Sequence, residues 1–403
     1  MLRKFYVHNF KTLLNFTFEP KGLNLLIGRN NAGKTNLCQA MQFLSLTARV
    51  DLLNACVAAA GTARSFTNRY QRDTTADFAC QCELPLEDGS YVFDYRLSID
   101  VPPSLEGGAR PRLVSETLDA SGGGRSNWRL ITGHGDTVHF TDESGAPPPP
   151  GVDIDIGGKV WGPATTGLGL VTGSGPTTRL MWQFKSYLES WTHYDLENSR
   201  LRDTAFTPLE PRLARDGGNL AFAIHALKMG DDRAYRELLD LGRAMEPELH
   251  AINFLTSPDP NQVFMVFEDS EGRRFLPQEF SNGTLRFLAL ACISAKNRQD
   301  AQRGAPAPLS LIEEPETGIF VGHLKPLLES VDPSGREGQY IFTSHSPYFI
   351  DLFDAHLDGV FLLKREKTHT TLVQPDPEKT QQLIAEEFSL GELHFREMLE
   401  KRR

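Results

Sequence analysis

Hydrophobic residues along this chain follow the two-residue period of β-strands in some segments and the helical period in others. Residues 2–8 and 13–18 alternate on either side of a turn near 9–11, which predicts a β-hairpin. The apolar run at 23–27 predicts a buried strand. Residues 77–100 alternate in places, as antiparallel strands do. These segments therefore predict the β-strands of the first hundred residues.

A helical pattern begins in the mid-thirties. Its apolar positions, spaced for one face of a helix, are Leu37, Ala40, Met41, Leu44 and Ala48. Helical periodicity returns at 179–192 and at 217–246, and an alternating strand pattern follows at 262–267. Residues 101–178 are rich in Gly and Pro, which predicts loops with short strands. The last strand is expected near 371–373, before a charged helix that reaches Arg403.

Composition narrows the class of protein. The 403 residues suffice for one large domain or two medium ones, and no apolar run approaches the ~18 residues of a membrane span. The first residues contain no apolar signal core, so we expect a cytoplasmic protein without a membrane partner. The net charge of −10 argues against coating nucleic acid by bulk charge, although it leaves a local basic groove open.

The five cysteines do not form a recognisable metal motif. Cys80 and Cys82 would share one face of a strand, but no second Cys/His pair has zinc-like spacing. We expect buried or surface thiols rather than a metal site.

Candidate chemistry begins with residues 28–35, which fit the pattern G-x-x-x-x-G-K-[ST] between a predicted strand and a predicted helix. In such a phosphate loop, successive backbone N–H groups face phosphate oxygens, and the following helix adds its positive N-terminal dipole. Lys34 can reach the β- and γ-phosphates, and the Thr35 hydroxyl can hold Mg²⁺. The nucleotide-binding candidates are Gly28, Asn30, Asn31, Ala32, Gly33, Lys34, Thr35 and Asn36.

Carboxylates follow a later strand. The apolar residues 309–312 end in Glu313-Glu314-Pro315-Glu316, the arrangement expected at the metal-and-water end of a nucleotide site. Adjacent residues at a strand end diverge. We therefore expect Glu313 near Mg²⁺, together with Thr35, and Glu314 to orient the attacking water.

Two further motifs complete the candidate site. The strand 339–343 leads to His345, which could hydrogen-bond a γ-phosphate and sense its loss. A serine-glycine turn made of Ser281, Asn282, Gly283 and Thr284 precedes an apolar helix, which predicts a second anion site at a helix N-terminus. We call residues 281–284 the signature turn. If one nucleotide uses both anion sites, the economical arrangement is two subunits head to tail.

Together these motifs resemble those of ABC-type ATPases of the SMC/RecF/OLD group, in particular compact bacterial ATPases of the AAA-labelled, phage-defence type. The matching segments are 9–11 with the phosphate loop through 36, then 216–220, 281–286, 312–318 and 343–351. The resemblance implies ATP and Mg²⁺ as cofactors, sandwiched in a homodimer or a higher even oligomer. It assigns catalysis to Glu314, the switch to His345, and the partner subunit's ATP to the signature turn.

The resemblance also implies an α/β fold: an ABC-type P-loop ATPase head whose mixed sheet carries an antiparallel N-terminal β-subdomain, with a mid-chain insertion and a helical lobe. The expected segments are an N-terminal part of the head at 1–100, an insertion at 101–178, a helical lobe at 179–260, a C-terminal part of the head at 261–375 and a helical tail at 376–403.

Some features depart from the family pattern. Phe320 stands where relatives often carry His, and the glutamine that usually completes the Mg²⁺ shell has only weak candidates in Gln71, Gln81 and Gln183. No segment sustains the heptads of a coiled coil, so we expect no long arm.

Three functions remain open. The first is the sensor or regulatory subunit of an anti-phage defence system. OLD-type nucleases carry a Toprim domain after the ATPase, and the residues after the histidine strand are too few for one, so the effector (a nuclease or toxin) would be a separate protein. The second is a DNA-repair or recombination ATPase that clamps DNA. The third is an ATP-regulated scaffold that binds no nucleic acid.

Overall fold

The computed structural model describes most of the chain as two compact units. The described residues are 1–62, 65–103, 110–123, 125–135, 137–141, 164–173, 175, 178–203, 205–206, 212–256, 262–386 and 388–400. The first unit comprises Met1–Pro20, Gly28–Thr192 and Leu362–Val373, and the second comprises Lys21–Ile27, His193–Phe361 and Gln374–Arg403. Because the units interleave along the sequence, they do not coincide with the five consecutive segments expected above, and that division stays a prediction.

The strands, in chain order, are β1 (Leu2–His8), β2 (Phe16–Phe18), β3 (Leu23–Ile27), β4 (Thr75–Leu86), β5 (Gly89–Asp100), β6 (Arg112–Gly122), β7 (Arg125–His134), β8 (Thr137–Phe140), β9 (Thr192–Tyr194), β10 (Ala205–Phe206), β11 (Ala251–Thr256), β12 (Gln262–Glu268), β13 (Arg274–Phe275), β14 (Leu309–Glu313), β15 (Gln339–Ser344), β16 (Val360–Arg365) and β17 (Thr370–Val373).

The helices are α1 (Lys34–Thr47), α2 (Leu52–Ala60), α3 (Gly167–Leu170), α4 (Arg179–Glu189), α5 (Leu220–Gly230), α6 (Asp232–Met245), α7 (Asn282–Gln302), α8 (Leu324–Glu329), α9 (Pro347–Asp351), α10 (Pro377–Ala385) and α11 (Leu390–Phe395). Among the described residues, no helix is both long and apolar enough to cross a membrane.

A seven-stranded antiparallel sheet, in the order β2-β1-β4-β5-β6-β7-β8, dominates the first unit. The predicted alternation is confirmed, since Phe78, Cys80 and Cys82 are all buried on one face of β4. The prediction of loops with short strands after residue 101 underestimated the strand length, because β6 spans eleven residues and pairs with β5. The part of that Gly/Pro-rich segment at 142–163 lies outside the described residues.

Aromatic packing fixes α1 in the first unit. Phe43 of α1 packs edge-on against Phe66 and at a tilt against Phe78, with ring centroids 4.9 and 4.6 Å apart, and the Phe10 ring centroid lies 4.9 Å from that of Phe66. Such pairs each contribute about 0.5–1.5 kcal/mol beyond the apolar area that they bury. All five residues of the apolar stripe predicted for α1 are fully buried, so the helix that carries the phosphate loop is firmly anchored.

The second unit contains a parallel core of three strands, β3, β15 and β14. Leu26 of β3 pairs with Thr343 of β15, and Thr343 pairs in turn with Glu313 of β14. Nearly every residue of these strands is buried, as expected for parallel strands covered on both faces. Because the strands are parallel and in register, their carboxyl ends meet at one edge, which carries Glu313 and Ser344.

A helical layer and a smaller antiparallel sheet complete the second unit. The helical stretch predicted at 217–246 is two helices, because Asp231 ends α5 and caps α6 by accepting from the backbone N–H groups of Arg233 and Ala234. β12 lies between β10 and β11, and β13 also pairs with β12. The predicted mixed α/β fold with an antiparallel sheet is confirmed.

Candidate functional site

The phosphate loop of the first unit has the backbone that an anion cradle requires. Asn31 and Gly33 adopt positive φ values of 65° and 107°, the left-handed conformations from which anion-binding nests are built. Gly33 is the N-cap of α1, and a Cβ there would lie 2.4 Å from Thr370 Oγ1. Only glycine fits this position. Gly33 therefore provides no capping side chain for α1, as is typical of a helix N-terminus that binds an anion.

Lys34 folds back over the loop that it belongs to. Its Nζ donates to the carbonyl oxygen of Gly28 at 2.6 Å, and the residue is 7% exposed. The ammonium group thus lies above the cradle, where a bound phosphate would compete for it. Thr35 follows as an exposed residue in the first turn of α1.

A hydroxyl network that the sequence did not reveal supports the loop from behind. Thr370 Oγ1 lies 2.7 Å from Thr12 Oγ1 and donates to the carbonyl oxygen of Ala32 at 3.0 Å. Asn36 donates to Thr12 Oγ1 at 2.8 Å. Thr370 and Thr12 therefore hold the loop shape from two segments far apart in sequence.

The segment at residues 9–11 is also built into this support. Asn9 has a φ of 56°, and its amide donates to the carbonyl oxygens of Asp73 and Thr75 at 2.9 and 2.8 Å. The Nζ of Lys11 donates to Gln39 of α1 at 2.5 Å. These bonds join the strand hairpin, β4 and the helix of the phosphate loop into one scaffold.

In the second unit, Glu313 ends β14 beside a histidine that sequence reasoning missed. Its Oε1 lies 2.6 Å from Nε2 of His193, and the His193 side chain is fully buried. Glu313 is thereby held in one orientation at the strand tip. The two residues are 120 positions apart, so no local motif in the sequence indicates their contact.

Glu314 has an unusual backbone. Its φ is 43°, a conformation that costs a non-glycine residue energy and persists only where neighbours enforce it. Its N–H donates to the carbonyl oxygen of Thr343 at 3.0 Å, and its own carbonyl accepts from Thr317 N at 3.1 Å. The result turns the Glu314 side chain away from that of Glu313 and toward His345, whose Nδ1 lies 3.1 Å from Glu314 Oε1. Both side chains stay accessible, at 42% and 51% exposure.

A third carboxylate, Glu316, lies behind this pair. The Ser344 hydroxyl donates to its Oε1 at 2.5 Å, and its Oε2 is buried with no partner among the described residues. Burial raises the pKa of Glu316, although the bond from Ser344 opposes that shift. Ser344 also accepts from the N–H of Ser346, so it shapes the turn that presents His345.

The signature turn starts α7, as predicted. Ser281 is the N-cap, and its Oγ accepts from the N–H of Thr284 at 3.0 Å. A Cβ on Gly283 would lie 2.4 Å from the carbonyl oxygen of Gly318, so the turn packs directly on the segment that follows the acidic strand. Arg202 supports it from outside by donating to the Phe280 carbonyl and to Asn282 Oδ1.

Asp216 and Asn219, part of the matched segment 216–220, hold a turn rather than the candidate site. Asp216 pairs with Arg200 at 2.9 Å, and the Asn219 side chain bonds the backbone of Ala214 and Arg212. Phe320 is 75% exposed beside His323, with ring centroids 5.5 Å apart. Of the glutamine candidates, Gln71 and Gln81 are exposed and Gln183 is half-buried, so the choice among them stays open.

All five cysteines are buried. Burial raises the pKa of the Cys80 thiol well above its ordinary value. The expectation of thiols rather than a metal site stays a prediction.

The residues present fit ATP and Mg²⁺. The positive-φ loop, the uncapped start of α1 and Lys34 suit phosphate oxygens. Thr35 in the first unit and Glu313 in the second each carry the hard oxygen ligand that Mg²⁺ prefers. The roles of these residues remain predictions.

A protein-family model matches part of the chain. Residues 169–351, which include the signature turn, the acidic strand and His345, match the family model described as AAA domain, putative AbiEii toxin, Type IV TA system. No curated protein sequence matches the chain.

Solved structures share the fold. One is the SmcHead bound to the C-winged helix domain of ScpA, with a TM-score of 0.54 and 13% identity over 94% of this chain and 99% of that chain. Another is the Smc head domain with an extended coiled coil, bound to the C-terminal domain of ScpA and derived from Pyrococcus furiosus, with a TM-score of 0.52 and 12% identity over 96% and 98%. The chain has the ABC-type ATPase fold of SMC head domains, and the predicted resemblance to SMC/RecF-like ATPases is confirmed.

Proposed function

We propose that this SMC-head-like chain binds and hydrolyses ATP with Mg²⁺, and that two copies engage head to tail around the nucleotide. The observation that carries the proposal is the strained Glu314 beside His345, at a strand end of a chain whose glycine loop suits phosphate. Strain of this kind collects at functional sites. An exposed carboxylate held next to a histidine is suited to orienting and polarising a water molecule.

In this proposal, each residue keeps the role its position suggests. Lys34 and the N–H groups of the phosphate loop bind the β- and γ-phosphates, while Thr35 and Glu313 hold Mg²⁺. Glu314 orients the attacking water, and His345 contacts the γ-phosphate. Ser281 and Gly283 bind the γ-phosphate of the partner's nucleotide. Loss of that phosphate removes the link between Lys34 and the opposing Ser281, so the two heads relax.

We further propose that this switch is the sensor or regulatory subunit of an anti-phage defence system, working in the cytoplasm with a separate nuclease or toxin. The support is the family model that matches residues 169–351, whose description names a putative AbiEii toxin and a Type IV TA system. A cycle of engagement and relaxation has no chemical output beyond hydrolysis. A partner protein is therefore needed to convert it into an effect.

A second candidate is an ATPase that clamps DNA during repair or recombination. The similarity to SMC heads at TM-scores above 0.5 favours it, although that similarity shows the fold alone. Salt-dependent duplex binding would be its signature, because neutralised phosphates release counterions.

A tagged pull-down of the Glu314→Gln protein, expressed with its native gene neighbours in ATP and Mg²⁺, tests the regulatory role, with Lys34→Ala as the nucleotide-free control. A second protein retained in fixed ratio by Glu314→Gln supports the sensor role. A bare oligomer that binds duplex DNA in a salt-dependent manner overturns it in favour of the clamp. An oligomer that retains no second protein and binds no duplex DNA would indicate a scaffold.

A further inference from the structure

Arg286 joins the signature helix to the backbone of Glu314. The residue lies in α7, five positions after Ser281, and is 4% exposed. Its Nη2 donates to the carbonyl oxygen of Glu314 at 2.9 Å and approaches that of Glu313 at 3.5 Å, while its Nη1 donates to the carbonyl of Leu196 at 2.6 Å. One planar guanidinium therefore fixes the peptide units that follow both acidic side chains.

Placing this cation there is costly. Burial lowers the pKa of Arg286, and its Nε is buried with no partner among the described residues. The nearby carboxylates of Asp195, Glu316 and Glu314 partly offset the desolvation. A buried arginine with an unsatisfied donor is an expensive way to hold a helix, because an apolar residue would pack there without that penalty.

A second contact runs in parallel. The backbone of Gly283 lies so close to the carbonyl of Gly318 that any side chain would collide with it. Gly318 lies four residues after Glu314, and a bond from Thr317 N to the Glu314 carbonyl closes the intervening turn. The turn at 314–318 is therefore contacted by the signature helix at two points: Gly283 packs on its last residue, and Arg286 bonds the carbonyl of its first.

We propose that Arg286 is a positioning residue that transmits engagement of the signature turn to the orientation of Glu314 in the same chain; this inference rests on the proposed function. The signature turn contacts the partner's nucleotide, whereas Glu314 serves the chain's own nucleotide. Arg286 thus makes hydrolysis in one site depend on occupancy of the other. The left-handed backbone of Glu314 is the element whose geometry the link controls.

The test is Arg286→Lys, which keeps the positive charge but cannot reach the Leu196 and Glu314 carbonyls with one rigid fork. Arg298→Lys is the matched control, because Arg298 lies on the same helix, is 19% exposed and donates to the Ser330 carbonyl at 2.9 Å. We expect Arg286→Lys to lower kcat on the order of 10²-fold, with KM for ATP and ATP-dependent dimerisation unchanged. Arg298→Lys should leave all three unchanged.

An unchanged kcat in Arg286→Lys would overturn the inference while leaving the proposed function intact. A wild-type protein that neither hydrolyses ATP nor dimerises with it would overturn the proposed function itself. Should Arg286→Lys fail to fold, hydrogen exchange on the wild-type protein decides. ATP should slow exchange at 281–285 and at 314–318 together, and protection of the first segment alone would contradict the link.

Discussion

The carboxylate of Glu314 lies 3.1 Å from Nδ1 of His345, although the two residues follow different strands of the parallel core. The register of β14 and β15 brings them together, because Glu313 pairs with Thr343 and both strands then end at the same edge of the sheet. Glu313 faces the other way, toward His193. The fold therefore places the adjacent carboxylates of Glu313 and Glu314 beside different histidines, His193 and His345.

This divergence predicts separable effects of Glu314→Gln and Glu313→Gln. Glu314→Gln should bind ATP normally but lower kcat about 10²–10⁴-fold, because a glutamine cannot take a proton from water. Glu313→Gln should chiefly raise the Mg²⁺ concentration needed for half-maximal hydrolysis. Titrating Mg²⁺ against steady-state hydrolysis for both variants separates the effects, and the reverse pattern would mean that the two roles are swapped.

His193 should act through Glu313. His193→Ala removes the group that orients the metal-binding carboxylate, so the Mg²⁺ requirement should rise about 10–100-fold while melting in the absence of Mg²⁺ confirms a folded protein. His193→Gln, whose amide can still donate to Glu313, should recover much of the loss. The exposed His250 provides a neutral control. An unchanged Mg²⁺ requirement in His193→Ala would show that this contact is only structural.

Lys34→Ala should abolish ATP binding measured by equilibrium titration. The ammonium of Lys34 lies over the Gly28 carbonyl, and alanine removes this positive charge from a site that must bind several negative charges. Lys21→Ala, at an exposed position, is the control. Retention of ATP with unchanged affinity would disprove the phosphate-loop assignment.

Asp354 should make stability depend on pH. Burial, together with the nearby carboxylate of Asp351, raises the pKa of Asp354 from 3.8 to about 6, and its Oδ1 is buried with no partner among the described residues. The folded state therefore holds a proton that the unfolded state releases at lower pH. The contribution of this proton to the free energy of unfolding is fully present below pH 3.8 and is lost as the pH rises through about 6.

Asp354→Asn should therefore be more stable than wild type at pH 7.5, by about 1 kcal/mol after allowance for solvent screening. The difference should shrink as the pH falls from 6 toward 4. Urea unfolding at both pH values measures it, and Asp358→Asn, at an exposed position, should show no such change. A variant equally destabilised at both pH values would refute the argument.

Much of the scaffold could be predicted because it is encoded locally. The stripe from Leu37 to Ala48 is helical in sequence and fully buried in the structure. The phosphate loop, the acidic strand end and the signature turn are contiguous motifs, so their local form follows from few residues. Ser281 as an N-cap is one such case.

Other features depend on contacts between distant segments. His193 meets Glu313 across 120 positions, and Thr370 meets Thr12 across 358. No pattern in the sequence predicts which polar side chains, so far apart along the chain, will be in contact in the fold. The strands β6 to β8 were underestimated because their glycines weaken the alternation, whereas pairing with β5 supplies the missing stabilisation.

The central claim is ATP-dependent engagement of two copies, and native mass measurement of the Glu314→Gln protein tests it most directly. In ATP and Mg²⁺ we predict a dimer or a higher even oligomer that retains nucleotide, and in ADP we predict its dissociation. A protein that retains ATP yet keeps the same mass in both nucleotides would contradict the account.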